Sequence, residues 1–286
     1  MRFFTLLMTS SLLSLLLLGT NGTAMQAEDY LEMGDKLMSQ EGEYGQAIDY
    51  YKKGIDALVD DDESPLTILS LHTNLATALS SVGMEEEAAR EYQIAISEYS
   101  KEIEDIVDKD MKNFMTEITA SASFFLGMVL QDLGEVQKAV DAYGYAINLD
   151  PMNWAAVANL ASIFHDQLSN HEEALVAYNR AYEILTQTDK DPTDPPADPR
   201  FILSEIQYRI GLCLIHDPTR KCAVDGDPEN MVSCREMATH AFSVAVQYNP
   251  ENESAKHMLA TVTADATMKR ASNTYVEKLF DDYAQK

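Results

Sequence analysis

Three cysteines, Cys213, Cys222 and Cys234, stand close together late in the chain. Thiols there could form a disulfide or ligate a metal. Cys222 and Cys234 bracket Ala223-Val224-Asp225-Gly226-Asp227-Pro228-Glu229-Asn230, a polar, turn-rich stretch unsuited to a helix. A disulfide closing it would restrain a segment with little to pack against. Cys213 then reads as a buried apolar thiol or as a competing partner. Zinc would draw on His216 or His240, but the chain has no C-x-x-C pair to found such a site. Asp225-Gly226-Asp227 is too short for a calcium loop and lacks the closing glutamate. His165 and His216 read as packing or surface residues rather than general bases. No G-x-G turn, no G-x-x-x-x-G-K-[ST] loop and no H-E-x-x-H is present. With 47 Asp and Glu residues, carboxylate pairs are so common that none marks a glycosidase. These residues give no ground for a catalytic site, a cofactor or a metal. Asn252-Glu253-Ser254 is an N-glycosylation sequon, placed just after Pro250 and so expected at the surface.

The formal net charge is -26. Nucleic-acid affinity depends on Lys and Arg contacts to phosphate, so this charge excludes nucleic acid as the expected partner. It also disfavours anionic membrane surfaces, keeps the protein soluble and favours basic partners. Arg2 is the only charge in residues 1–24, Phe3–Leu18 is apolar, and Gly22-Thr23-Ala24 offers the small residues that signal peptidase reads. Residues 1–24 therefore read as a cleaved secretory signal, since the apolar stretch is short for a bilayer of about 30 Å. The expected location is the secretory pathway, in the ER lumen or secreted. No stable membrane insertion is expected after cleavage; the alternative is anchoring by an uncleaved signal.

The elements that hold these residues follow from a spacing that occurs five times. A small residue is followed, about twelve positions later, by Ala, then an aromatic four on and a small residue seven on. The copies are Gly127, Ala139, Tyr143, Ala146; Ala76, Ala88, Tyr92, Ala95; Gly34, Ala47, Tyr51, Gly54; Ala161, Ala174, Tyr178, Ala181; and Gly211, Ala238, Phe242, Ala245. The first and fourth units along the chain carry one extra residue in the turn, and a long insertion splits the fifth. Each copy predicts two antiparallel helices whose backbones cross at the small residue. Leu75, Leu126, Leu160 and Ile210 precede that residue, while Leu79, Leu130, Phe164 and Leu214 follow it by three, on the same helical face. The aromatic is expected to fill the gap towards the next unit. Gly83 and Gly134 suit left-handed caps in the turns, and Pro151 and Pro250 end second helices.

This pattern resembles the tetratricopeptide repeat, from about Asp29 to about Ala260. The resemblance implies an all-α, right-handed superhelical solenoid of about five helix-turn-helix units, a groove for peptides or partner domains, and no chemistry of its own. The chain then divides into a signal at 1–24 and units at 25–60, 69–102, 120–153 and 154–185. A Pro- and Asp-rich linker occupies 186–200, the fifth unit with its cysteine-bearing insertion 201–250, and a capping helix with the C-terminal tail 251–286. The last helix of the second unit is expected to run on towards Lys109, since Ile103, Ile106 and Met111 keep a weak helical period.

By the same resemblance, the groove is lined by first-helix residues three before and one after the small residue. These are Leu31 and Asp35, Thr73 and Thr77, Phe124 and Met128, Ala158 and Ser162, and Tyr208 and Leu212. None is Lys or Arg. The family members that hold acidic chaperone tails need cations there, so this groove is expected to reject acidic peptides and accept neutral or basic ones. Asn74 and Asn159, two before the small residue, stand where such superhelices contact ligand backbone. Glu32, Phe125 and Arg209 take that place in the other units.

Tyr275-Val276-Glu277-Lys278-Leu279-Phe280-Asp281-Asp282-Tyr283-Ala284 resembles the junction in proteins that fuse these repeats to an S-adenosylmethionine-dependent methyltransferase. On that alternative the chain is the repeat portion, or a truncated relative, of such an enzyme. The same residues also suit an amphipathic helix packed on the repeats.

Overall fold

Local signals explain where the helices start and stop. In the computed structural model, which describes residues 25–40, 42–58, 64–187, 199–216, 221–224 and 227–263, the chain divides into two compact units, residues 1–150 and 151–286. The first holds three helix pairs: α1 (Ala27–Met38) with α2 (Tyr44–Asp56), α3 (Pro65–Ser81) with α4 (Glu85–Glu102), and α5 (Lys109–Asp132) with α6 (Val136–Leu149). A capping box between Gln26 and Asp29 opens α1, and Pro65 opens α3 at a position where no amide donor is needed. Glu85, Glu86 and Glu87 face the positive end of α4. Gly83 and Gly134 have φ of 78° and 75°, the left-handed turn expected of them.

The small–aromatic pattern is the core. Ala47, Tyr51, Ala88, Ala95, Ala139, Tyr143 and Ala146 are each 0 % exposed. The aromatic sits elsewhere than expected, however. Tyr51 lies against Gly34 and Tyr143 against Gly127, so the ring fills the slot above the crossing residue of its own unit. A missing Cβ leaves a hole at the crossing, and a flat ring is the side chain that fits it. Tyr92 also reaches onward, its ring 6.3 Å from that of Phe125.

The expected extension of α4 is not seen. It ends at Glu102, and α5 begins afresh at Lys109, where the Asp108 side chain accepts from the Met111 amide. Ile103 and Ile106 keep their apolar spacing because they pack, as part of a turn, on the cluster of Leu69, Ala95, Tyr99 and Met115. By length and composition α5 could cross a membrane, but 56 % of its apolar stretch is buried within the protein. That is the signature of a core helix.

The second unit contains α7 (Trp154–Ser162), a π-helical turn (Ile163–Gln167), α8 (His171–Gln187), α9 (Pro199–Ile215), strands β1 (Lys221–Val224) and β2 (Asp227–Ser233), α10 (Cys234–Tyr248) and α11 (Glu253–Thr263). The π turn takes up the extra residue of the fourth repeat by widening the helix. Ser169, with φ of 51°, adopts the left-handed conformation that glycine holds in the turns of the second and third repeats. Ala174, Ala181, Ala238, Phe242 and Ala245 are all 0 % exposed. Phe242 packs on Gly211 as the tyrosines do on their glycines.

The fifth-repeat insertion forms an antiparallel hairpin, with Lys221 opposite Ser233 and Cys222 opposite Val232. Cys222 and Cys234 are joined, their Cα atoms 5.2 Å apart, and Cys213 is free and buried. Ser233 and Glu236 form a capping box at the start of α10. Arg235 donates from Nε and Nη2 to the Val262 carbonyl at 2.9 and 2.8 Å, tying α11 to α10. The expected signal at 1–24, most of the expected linker at 186–200 and the tail beyond 263 lie outside the described residues.

Candidate peptide-binding surface

Within the first unit, the expected groove residues sit on α1, α3 and α5. Leu31, Asp35, Asn74, Thr77 and Met128 are half-buried. Thr73 and Phe124 are more buried, 7 % and 8 % exposed. The Phe124 ring is turned into the helix pair, with centroids 5.2 Å from Phe125 and 6.1 Å from Tyr143.

Asp35 organises the polar part. Its Oδ1 accepts from the Tyr51 hydroxyl at 2.8 Å and from Asn74 Nδ2 at 2.7 Å. Burial raises the Asp35 carboxyl above its ordinary value, the Tyr51 and Asn74 hydrogen bonds pull it back, and the Glu32 charge raises it further. Both donors are neutral, so among the described residues these two hydrogen bonds hold the carboxylate and bring it no counter-charge. In the second repeat Thr77 plays the corresponding part. Its hydroxyl donates to the Thr73 carbonyl at 2.9 Å, leaving the Tyr92 hydroxyl, also at 2.9 Å, to donate to Thr77.

Asn74 is thus engaged with the preceding first helix, where the resemblance expects a ligand backbone as its partner. The second unit repeats the arrangement with a charged donor. Arg209, in the same place relative to Gly211, reaches Asp166 of the π turn, Nη1 lying 3.0 Å from Oδ2 and 3.3 Å from Oδ1. Its Nε donates to Glu205 at 3.0 Å. Ser162, an expected groove residue, donates to Asp166 at 3.1 Å. Burial would raise the Asp166 carboxyl, but the His165 hydrogen bond and the charges of Arg209 and His165 outweigh it, and the carboxyl falls to about 2. Ala158, Asn159, Tyr208 and Leu212 are half-buried, and the Tyr208 ring is 5.9 Å from that of Phe242.

Three of the six histidines, His165, His171 and His216, meet in this unit. His165 shares a hydrogen bond of 2.7 Å with Asp166, and its ring centroid is 5.0 Å from that of His171, which is 3.7 Å from that of His216. Among the described residues, no group of three or more His, Cys, Asp and Glu side chains is arranged to hold a metal. Cys213 is remote from nucleophilic use, its thiol pushed up to about 12 chiefly by burial.

Asn252 is half-buried and its side chain is occupied at both ends. Oδ1 accepts from the Ala255 amide at 3.0 Å, capping α11, while Nδ2 donates at 3.0 Å to Ser204, whose hydroxyl donates to the Ala245 carbonyl at 2.8 Å. Ser254 of the sequon is 7 % exposed.

Residues 120–153, the repeat end of α5 with α6, match the profile of the tetratricopeptide repeat family. Solved structures extend the match along the chain. YrrB, described as a TPR protein with an unusual peptide-binding site, aligns over 82% of this chain and 91% of its own at 17% identity, with a TM-score of 0.53. The chain has the tetratricopeptide-repeat fold. The repeat protein MamA aligns over 77% of this chain and 95% of its own at 22% identity and a TM-score of 0.51. MamA residues 41 to end from Desulfovibrio magneticus RS-1 align over 80% and 98% at 13% identity and 0.52. At these identities the repeat fold is what is shared. No curated protein sequence matches the chain.

Proposed function

We propose that this protein is a non-catalytic interaction scaffold whose first-helix surfaces hold a neutral-to-basic peptide or partner domain. Asp35 carries the reading. It is a half-buried carboxylate on the predicted groove face, fixed by the neutral donors Tyr51 and Asn74, and a cation from a ligand would supply the charge it lacks. The overall charge of -26 would steer such a ligand inward. Met128 in the first unit, and Tyr208 with Leu212 in the second, offer apolar contact. The unusual peptide-binding site of YrrB is a property of that protein, and it lends the repeat fold a precedent for this use. The disulfide and the apolar leader support entry into the secretory pathway, with an uncleaved anchor as the alternative.

The test uses two labelled peptides of equal length and apolar content, one lysine-rich and one glutamate-rich. The lysine-rich peptide is expected to bind, and more weakly as salt rises, because the steering field is screened over about 8 Å at physiological ionic strength. Asp35→Asn should weaken it about fivefold, the order of one partly exposed ion pair. Tyr208→Ala should weaken binding to the second unit at every salt concentration. Preference for the glutamate-rich peptide, or wild-type affinity in both variants, overturns the reading. A second reading rests on Tyr275–Ala284 and its resemblance to a methyltransferase junction; coding sequence that continues into a G-x-G-bearing domain would favour it.

A further inference from the structure

We propose that His165, His171 and His216 form a proton-sensitive latch that holds the π turn, the start of α8 and the end of α9 together at neutral pH and releases them on acidification.

His165 lies on the π turn, His171 opens α8 and His216 directly follows α9, and the three imidazoles meet in a row with His171 in the middle. Its ring stands edge-on to His165 at 5.0 Å, with an interplanar angle of 71°, and lies over His216 at 3.7 Å and 33°. Among the described residues, His171 Nδ1 is buried and has no hydrogen-bond partner, so neither solvent nor an acceptor from them would stabilise a proton there. A second feature acts in the same direction. His171 is the first residue of α8, where the helix dipole opposes positive charge.

Among the described residues, the surrounding charges do not offset this. On the π turn, Asp166 is bonded to His165 Nδ1 and already paired with Arg209. On α9 stand Arg209, a further cation, Glu205, which is bound to it, and the protonated thiol of Cys213. The acids nearest in sequence, Glu172 and Glu173, are exposed, and Glu173 accepts from Asn170 Nδ2 at 2.6 Å. The helix α7 carries no titratable side chain. Burial, helped by His216 and His165, accordingly lowers the affinity of His171 for a proton.

The sign follows from that lowering. The closed state binds the proton more weakly than the open one, so the latch contributes stability above the ordinary histidine value of about 6.5 and loses it as pH falls below. Opening would separate α8 from α9 and disturb Arg209, Ser162 and Tyr208. The consequence for partner binding rests on the function proposed above, whereas the latch itself does not.

Hydrogen exchange of the whole chain, read by mass spectrometry at about pH 7.5 and about pH 5.5 and corrected for intrinsic rates, tests it without a partner. Exchange in α7–α9 should accelerate at the lower pH relative to α3–α6. The acceleration is bounded by about tenfold for each pH unit below about 6.5, the limit for one linked proton. His171→Phe keeps a ring in place and removes the proton site, and should abolish the acceleration. Should that variant fail to fold, His216→Gln takes its place and should reduce the effect by removing one facing imidazole. Equal relative protection at both pH values, or acceleration unchanged in the variant that folds, overturns the proposal.

Discussion

Tyr143 lies over Gly127 so closely that a Cβ on the glycine would meet three ring carbons at 2.6, 2.6 and 2.9 Å. The ring is 0 % exposed, and its hydroxyl donates to Gln131 Oε1 at 3.1 Å, so it can neither retreat nor tilt without losing contacts. The helix-crossing distance of this repeat is therefore set by one aromatic ring and one absent methyl group.

Two alanine substitutions separate this packing effect from helix propensity. Ala for Gly inside a helix gains about 1 kcal/mol of propensity, and overpacking a tight core costs about 1–3 kcal/mol. Gly127→Ala should therefore lower stability by up to about 2 kcal/mol, the overpacking cost less the propensity gain. Gly144→Ala, in the neighbouring helix with no atom within 4 Å of its would-be Cβ, should raise stability by up to about 1 kcal/mol. Chemical denaturation of the two variants makes the comparison. Equal midpoints would mean that the ring moves aside.

The repeat was legible because its signal is local. Ala, Tyr and small residues at helical offsets recur wherever two helices must approach, and every second-helix Ala named from that spacing is buried. The cysteine pairing was legible for a similar reason, since the bridge closes a short loop. The face of a given ring was not. Phe124 and Phe125 are neighbours on α5, yet the Phe124 ring lies by Tyr143 of the following helix and the Phe125 ring by Tyr92 of the preceding one. The hairpin had a signal in Asp225-Gly226, a pair that favours tight hairpins, though the alternation expected of strands is weak around it. The histidine row and the Arg209–Asp166 pair had none. Their members lie far apart in sequence, and a π turn shifts the register at which Asp166 faces α9.

Reducing the disulfide should loosen the insertion while sparing the helices around it. Cys222 and Cys234, at a sequence separation of 12, close a short loop, which the chain-entropy account values at about 2–3 kcal/mol. The capping box of Ser233 and Glu236 and the packing of Phe242 on Gly211 hold α10 independently. Hydrogen exchange with and without reductant should show faster exchange in β1 and β2 and little change in α9 and α10. Under native conditions iodoacetamide should leave Cys213 unmodified, because its thiol is buried and protonated. Rapid alkylation of Cys213, or loss of protection throughout α10, would contradict this account.

Asn252 stands in a glycosylation sequon and in a structural role, and the two compete. As the cap of α11 its oxygen satisfies the Ala255 amide, and as a donor its nitrogen holds Ser204, which in turn holds the Ala245 carbonyl of α10. A glycan is attached through that same nitrogen, and its bulk would have to occupy the space between α11 and α9 where the amide now sits. Ser254, the hydroxyl that defines the sequon, is itself 7 % exposed. The folded protein is therefore expected to carry Asn252 unmodified when made in a secretory host, with no change in mass on treatment with peptide N-glycosidase. Removing the side chain should be costly even without a glycan. Asn252→Ala deletes the cap, about 1 kcal/mol, and strips Ser204 of a donor in the interior. Asn252→Asp keeps the cap oxygen but replaces the donor with a second acceptor, so it should recover only part of that loss. Equal stability of wild type and Asn252→Ala, or a glycan on most of the folded protein, would show that Asn252 serves the sequon and not the helix.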